Sequence, residues 1–105
     1  MTEGSRGGDA VATGGFSASN EGWLFTGALT LDDAAAALEA SQALPLPVSG
    51  VVDFSGLRQA DSAALAVMIA LKRRGTEEER TLSIRGIPPS LRSLAAVYGI
   101  DDLLD

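Results

Sequence analysis

VVDFSGLRQADSAALAVMIALKRR, residues 51–74, holds one strand and the helix that follows it. The β-branched, near-continuous apolarity of Val48–Phe54 predicts a central strand covered on both faces, as in a parallel α/β layer. Gly56 is expected to break that strand and hand the chain to a loop through Leu57, Arg58 and Gln59. Asp61-Ser62 then opens a helix over residues 62–74. Its nine apolar residues, 63–71, are closed by Lys72, Arg73 and Arg74.

At about 100° per residue, Leu65, Met68, Ile69 and Leu71 fall on one broad side of this helix, the side expected to face the core. Ser62, Ala63, Ala66, Ala70 and Arg73 fall on the other. A helix facing only water more often carries Glu, Lys or Gln outward. A stripe of small residues lets another backbone come close, but alanine is also the best helix former. Both readings of the stripe stand at this point. The three basic residues suit the negative end of the helix dipole, with a polar rim around an interface as the second reading.

Upstream, Phe16–Ser19 and Trp23–Thr26 read as the strands of a hairpin, with Asn20-Glu21-Gly22 as its turn. Thr30 and Asp33 have the spacing of a capping box in which Asp replaces Glu. The helix it opens, Leu31–Ala43, ends before Pro45 and Pro47 and places Leu31, Ala34, Ala35 and Leu38 on one face. Downstream, Gly75 and Glu77-Glu78-Glu79 form the expected exit turn, and Thr81–Arg85 alternates as a strand. Pro88-Pro89 then introduce a last helix.

In that helix Leu91, Leu94, Ala95 and Tyr98 keep helical spacing. Gly99 is placed to end it at a left-handed C′ position, with Ile100 as the hydrophobic contact. Both leucines of the DDLLD tail are expected to tuck against the sheet. The order is ββαβαβα, a small α/β domain with a mixed sheet and helices packed against it. Residues 1–15 contain five glycines and no apolar run. They are expected to be a disordered lead, with the folded domain at 16–105.

The chain has 105 residues and a net charge of −6. Such a surface repels a phosphate backbone, so no nucleic-acid partner is expected. There is no Cys and no His, which removes disulfides, Cys/His zinc sites and nucleophile–histidine pairs. The acidic residues are scattered or lie in the tail, as Asp101 and Asp102 do, so no metal is expected. No glycine-rich loop has the spacing of a phosphate cradle, so no cofactor is expected either. These absences argue against an enzyme. No run approaches the ~20 apolar residues of a membrane span, and a cytoplasmic location without membrane insertion is the expectation.

With these elements in place the chain resembles a STAS domain, the module shared by sulphate transporters and anti-sigma factor antagonists. The resemblance covers about Phe16–Leu104. It rests on the strand–loop–Asp61-Ser62–apolar helix motif set within the ββαβαβα order. Two subfamilies are similar in different ways. In anti-sigma factor antagonists the Asp precedes a phosphorylatable Ser, then Ser or Thr, then Gly. Asp61 and Ser62 match that pattern, whereas Ala63 and Ala64 depart from it. In the small STAS subunit of the Mla phospholipid-transport ABC complex, the MlaB type, the helix start accepts small residues, as in DSAALA here. The C-terminal stretch of that type resembles LRSLAAVYGIDDLL, residues 91–104.

The Mla resemblance implies a non-enzymatic cytoplasmic subunit, peripheral to the inner membrane through its partner. It would bind and regulate the ATPase of an ABC transporter, with a membrane permease in the complex, in transport that maintains outer-membrane lipid asymmetry. It also implies that Ser62 lies at the ATPase contact; Asp61 and the outward residues Ala63, Ala66, Ala70 and Arg73 are expected to complete that face, with the final helix as a further candidate contact. The antagonist resemblance implies phosphorylation of Ser62 by a partner serine kinase acting as an anti-sigma factor. From the residues alone, Ser62 is a helix N-cap or the first helical residue behind an Asp61 cap. That structural role and a contact role can coexist.

Overall fold

The structure, a computed structural model, describes residues 11–13, 15–19 and 21–104. Strands β1 (Val11–Thr13), β2 (Phe16–Ser19), β3 (Gly22–Leu29), β4 (Val51–Ala60) and β5 (Ser83–Arg85) lie in that order in one sheet. β1, β2 and β3 pair antiparallel, whereas β3, β4 and β5 run parallel. Antiparallel neighbours need only tight turns, and the β2–β3 hairpin closes with Ser19 opposite Gly22. Parallel neighbours need crossovers. Helices α1 (Leu31–Gln42) and α2 (Ser62–Glu77) supply them. α3 (Pro89–Val97) and a 3₁₀ turn, Asp101–Leu104, follow.

The ββαβαβα order therefore holds from Phe16 onward, as a mixed α/β sheet with helices packed against it. β1 is an addition. It lies inside the segment expected to be a disordered lead, of which residues 1–10 and 14 fall outside the described residues. Asn20, expected in the hairpin turn, also falls outside them.

Cross-strand partners share a face of the sheet. One row runs Ala18–Trp23–Val52–Ile84, and Phe16, Phe25 and Phe54 sit on the same face. All of these except half-buried Ala18 belong to the buried core. The adjacent row, Ser17–Leu24–Asp53–Arg85, points the other way and is half-buried or exposed. One face of the sheet is thus covered and the other is open. This corrects the reading of β4 as covered on both faces. Val52 and Phe54 point inward, while Val51, Asp53 and Ser55 do not. Val48, which lengthened the apolar run, lies outside the strand and is 90% exposed.

All three phenylalanines and the single tryptophan meet in the core. The Phe16 ring centroid lies 5.0 Å from Phe25, 5.3 Å from Trp23 and 6.2 Å from Phe54, edge-on each time. Such pairs add about 0.5–1.5 kcal/mol each beyond burial of area.

Gly56 does not break β4. The strand continues through the expected loop to Ala60, which pairs with Leu29. A Cβ at Gly56 would lie 2.6 Å from the Phe25 carbonyl oxygen. Glycine is needed there because β3 and β4 approach closely where their register shifts, between Leu24 and Thr26.

The helices differ from expectation at their faces and ends. In α1 the inward residues are Ala34, Ala37, Leu38 and Ser41, whereas Ala35 is exposed and Leu31 is 77% exposed. α2 buries Ala64, Leu65, Val67, Met68 and Leu71, and leaves Ile69 half-buried. It also runs past Gly75, whose missing Cβ would lie 2.9 Å from Leu82 Cγ. The chain turns instead at Glu78 and Glu79. α3 ends as expected in a Schellman arrangement. The Ile100 N–H donates to Ala95 O at 2.9 Å and the Gly99 N–H to Ala96 O at 3.0 Å. The tail buries Leu104 but leaves Leu103 exposed, and it packs on α2 rather than on the sheet.

Two of the three basic residues near the end of α2 reach carbonyls outside that helix. Lys72 Nζ donates to Leu82 O at 2.8 Å. Arg74 reaches across to the C-terminal end of α1, donating to Ser41 O at 2.7 Å and Leu44 O at 2.8 Å, while its Nε meets Glu78 Oε2 at 2.7 Å. The last carbonyls of a helix lack onward helical partners, and the cation also complements the α1 dipole. Arg74→Ala should therefore cost about 2 kcal/mol of stability, measurable as a lower urea midpoint at unchanged slope. Arg74→Lys should recover only part of the loss, because one ammonium cannot reproduce the fork.

Candidate functional site

β3 and β4 are parallel neighbours that end together, with Leu29 opposite Ala60. α1 and α2 therefore begin side by side beyond the carboxyl ends of these strands, where α/β sheets commonly present their sites. Asp61 is the N-cap of α2, and its Oδ1 accepts the Ala63 N–H at 2.8 Å. Ser62 is thus the first helical residue behind an Asp61 cap. It is exposed, and among the described residues its hydroxyl has no partner in the chain.

The expected outward stripe is largely assembled. Ala66 and Arg73 are exposed on the same side as Ser62, and Ala70 is half-buried at its edge. Ala63 is half-buried and turned away from the middle of the stripe. Ala64, which departs from the antagonist pattern, has its methyl wholly inside the core. It leaves the Ser62 surface unaltered.

A groove flanks this ridge on each side. The α1 side, about 430 Å³, is lined by Leu38, Ser41 and Ala70, with Arg74 and Glu78 at its end. The tail side, about 420 Å³, is lined by Ile69, Lys72 and Thr76 opposite Asp102 and Leu103. Arg73 and Glu77 border both. Asp32 and Asp61 are exposed near Ser62, and Arg73 is exposed toward the C-terminal end of α2. Among the described residues, no three acidic side chains come together as metal ligands would, and no helix is long and apolar enough to cross a membrane.

The Asp33 Oδ2 atom accepts from Thr30 N at 3.0 Å and from Thr30 Oγ1 at 2.7 Å. The backbone bond first, and then the hydroxyl bond, hold the Asp33 carboxyl below the usual carboxylate range. A lowered folded-state pKa stabilises above the unfolded value, and that contribution is lost as pH falls through the folded one. The melting-temperature deficit of Asp33→Ala should accordingly be full at pH 7 and shrink below about pH 4, read from thermal melts of both proteins across that range.

Two features escaped the sequence. Asp61 Oδ2 accepts a second bond, from the Leu31 N–H thirty residues earlier, at 3.1 Å. No local pattern signals it, because it arises from the parallel pairing of β3 with β4. Val97 and Tyr98 are also exposed. Tyr98, which keeps the helical spacing of Leu91, Leu94 and Ala95, is the C-cap residue of α3 and is more than half exposed.

The family model described as "Mlab, STAS domain" matches residues 25–105. No curated protein gives a significant match to the chain.

Proposed function

The chain belongs to the MlaB-type STAS domain family, and on that premise we propose that it is a non-enzymatic subunit docking onto the ATPase of an ABC-type phospholipid transporter. The contact is the outward face of α2, from Ser62 through Ala66 to Arg73. The observation that carries this reading is the exposed ridge of small side chains beginning at a serine whose hydroxyl is unspent within the chain. Small residues let a partner backbone approach without a prior rearrangement, and an open hydroxyl can bond across the contact. The protein would sit in the cytoplasm, held at the inner membrane through the ATPase and its permease, and would stabilise the active arrangement of the ATPase.

A second reading is favoured by the same hydroxyl. Ser62 is accessible at the positive end of α2, so a kinase could reach it, and a phosphate there would add nearly two negative charges beside Asp61. That would make the chain an anti-sigma factor antagonist switched by phosphorylation. Gentle affinity purification of the tagged protein from its native cell, followed by mass spectrometry, separates the two. An ABC ATPase with a permease supports the first reading. A serine kinase, with phosphate on Ser62, supports the second and contradicts the first.

A further inference from the structure

The corner where α1 and α2 begin is held by one carboxylate. Asp61 Oδ1 accepts from the Ala63 N–H of its own helix at 2.8 Å, and its Oδ2 accepts from the Leu31 N–H of the other at 3.1 Å. Leu31 is the first residue of α1, and an amide there has no partner within its helix. Local chemistry is already committed elsewhere. Asp33 serves Thr30, and the Asp33 and Ala34 amides both donate to Thr30 O.

Many N-cap residues would serve α2 alone. Serine, threonine and asparagine each offer a single side-chain acceptor oxygen, whereas aspartate offers two and no donor. A carboxylate is also the species that suits the positive ends of two helices at once. Asn at this position would turn an NH₂ group toward one of the two amide donors.

We propose that Asp61 is a positioning residue for docking. By capping α1 and α2 with the two oxygens of one carboxylate, it locks the first turns of both helices together and so fixes the surface on which Ser62 meets the ATPase. This role rests on the docking reading above.

Asp61→Ser separates the two caps, because a serine hydroxyl can serve the start of α2 but offers no second acceptor to Leu31. Asp32→Ser is the charge control. It removes the same charge from the same exposed corner without touching the bridge. Amide exchange by NMR and titration with the ATPase that co-purifies with the wild type are measured on all three proteins. For Asp61→Ser, the Leu31 amide should exchange about tenfold faster, the scale expected for losing a bond to a charged acceptor. Exchange at Ala63 should change little and ATPase affinity should fall about tenfold, while Asp32→Ser leaves all three readings near wild type.

Unchanged Leu31 exchange in Asp61→Ser would overturn the bridge. Faster exchange with wild-type affinity would overturn the positioning role alone. If the wild type itself bound no ATPase, the docking reading would fall and take this role with it.

Discussion

Phe16→Ala is expected to remove about 3–5 kcal/mol of stability, the range for truncating a fully buried aromatic side chain. Phe16 has no exposed surface and meets Trp23, Phe25 and Phe54 edge-on. It is also the one fully buried side chain of the four-residue strand β2. Its loss therefore opens a cavity at the centre of the aromatic cluster and loosens the strand that joins β1 to the rest of the sheet. Against a total of roughly 5–15 kcal/mol for an ordinary domain, that loss is a large share and should lower the melting temperature by many degrees. Thermal and urea unfolding followed by circular dichroism check this, and a loss below about 1 kcal/mol would contradict the cluster's central place.

Ala66→Arg should have the opposite signature, leaving the fold intact and strongly weakening docking. Ala66 is exposed on the outer side of α2, and arginine is a good helix former, so the melting temperature should stay within a few degrees of wild type. In the complex, however, a long cation would stand where the partner backbone approaches. Overpacking and an unpaired charge together cost about 3 kcal/mol or more, which weakens binding about a hundredfold. Co-purification of the ATPase with this variant, compared with wild type, reads the effect. Retention at wild-type level would place the contact elsewhere on the domain.

Much of this fold was legible because local chemistry and periodicity agreed. The Schellman end of α3, the Thr30–Asp33 pairing and the outward placement of Ser62, Ala66 and Arg73 all follow from short-range spacing. What failed depended on neighbours distant in sequence. Gly56 looked like a strand breaker because a glycine in a strand usually weakens it, yet the close approach of Phe25 on β3 requires it. Gly75 looked like a helix stop, yet it lies inside α2 because Leu82 packs against its missing side chain. Val48 and Val51 made an alternating strand look continuously apolar, hiding the open face of the sheet. Arg74 looked like a cap for its own helix, yet its partners are carbonyls on α1 and just beyond it. Of the site, the stripe could be read from α2 alone. The bridge from Asp61 to Leu31 could not, since it exists only once β3 and β4 lie parallel.

Titration calorimetry with the purified ATPase subunit tests docking through Ser62 most directly, using wild type, Ser62→Arg and a control, Val48→Arg, at an exposed residue before the start of β4, whereas Ser62 follows its end. Wild type and the control should give a saturable heat, and Ser62→Arg none at the same concentrations, with all three proteins equally folded. Equal binding by Ser62→Arg and wild type would contradict it.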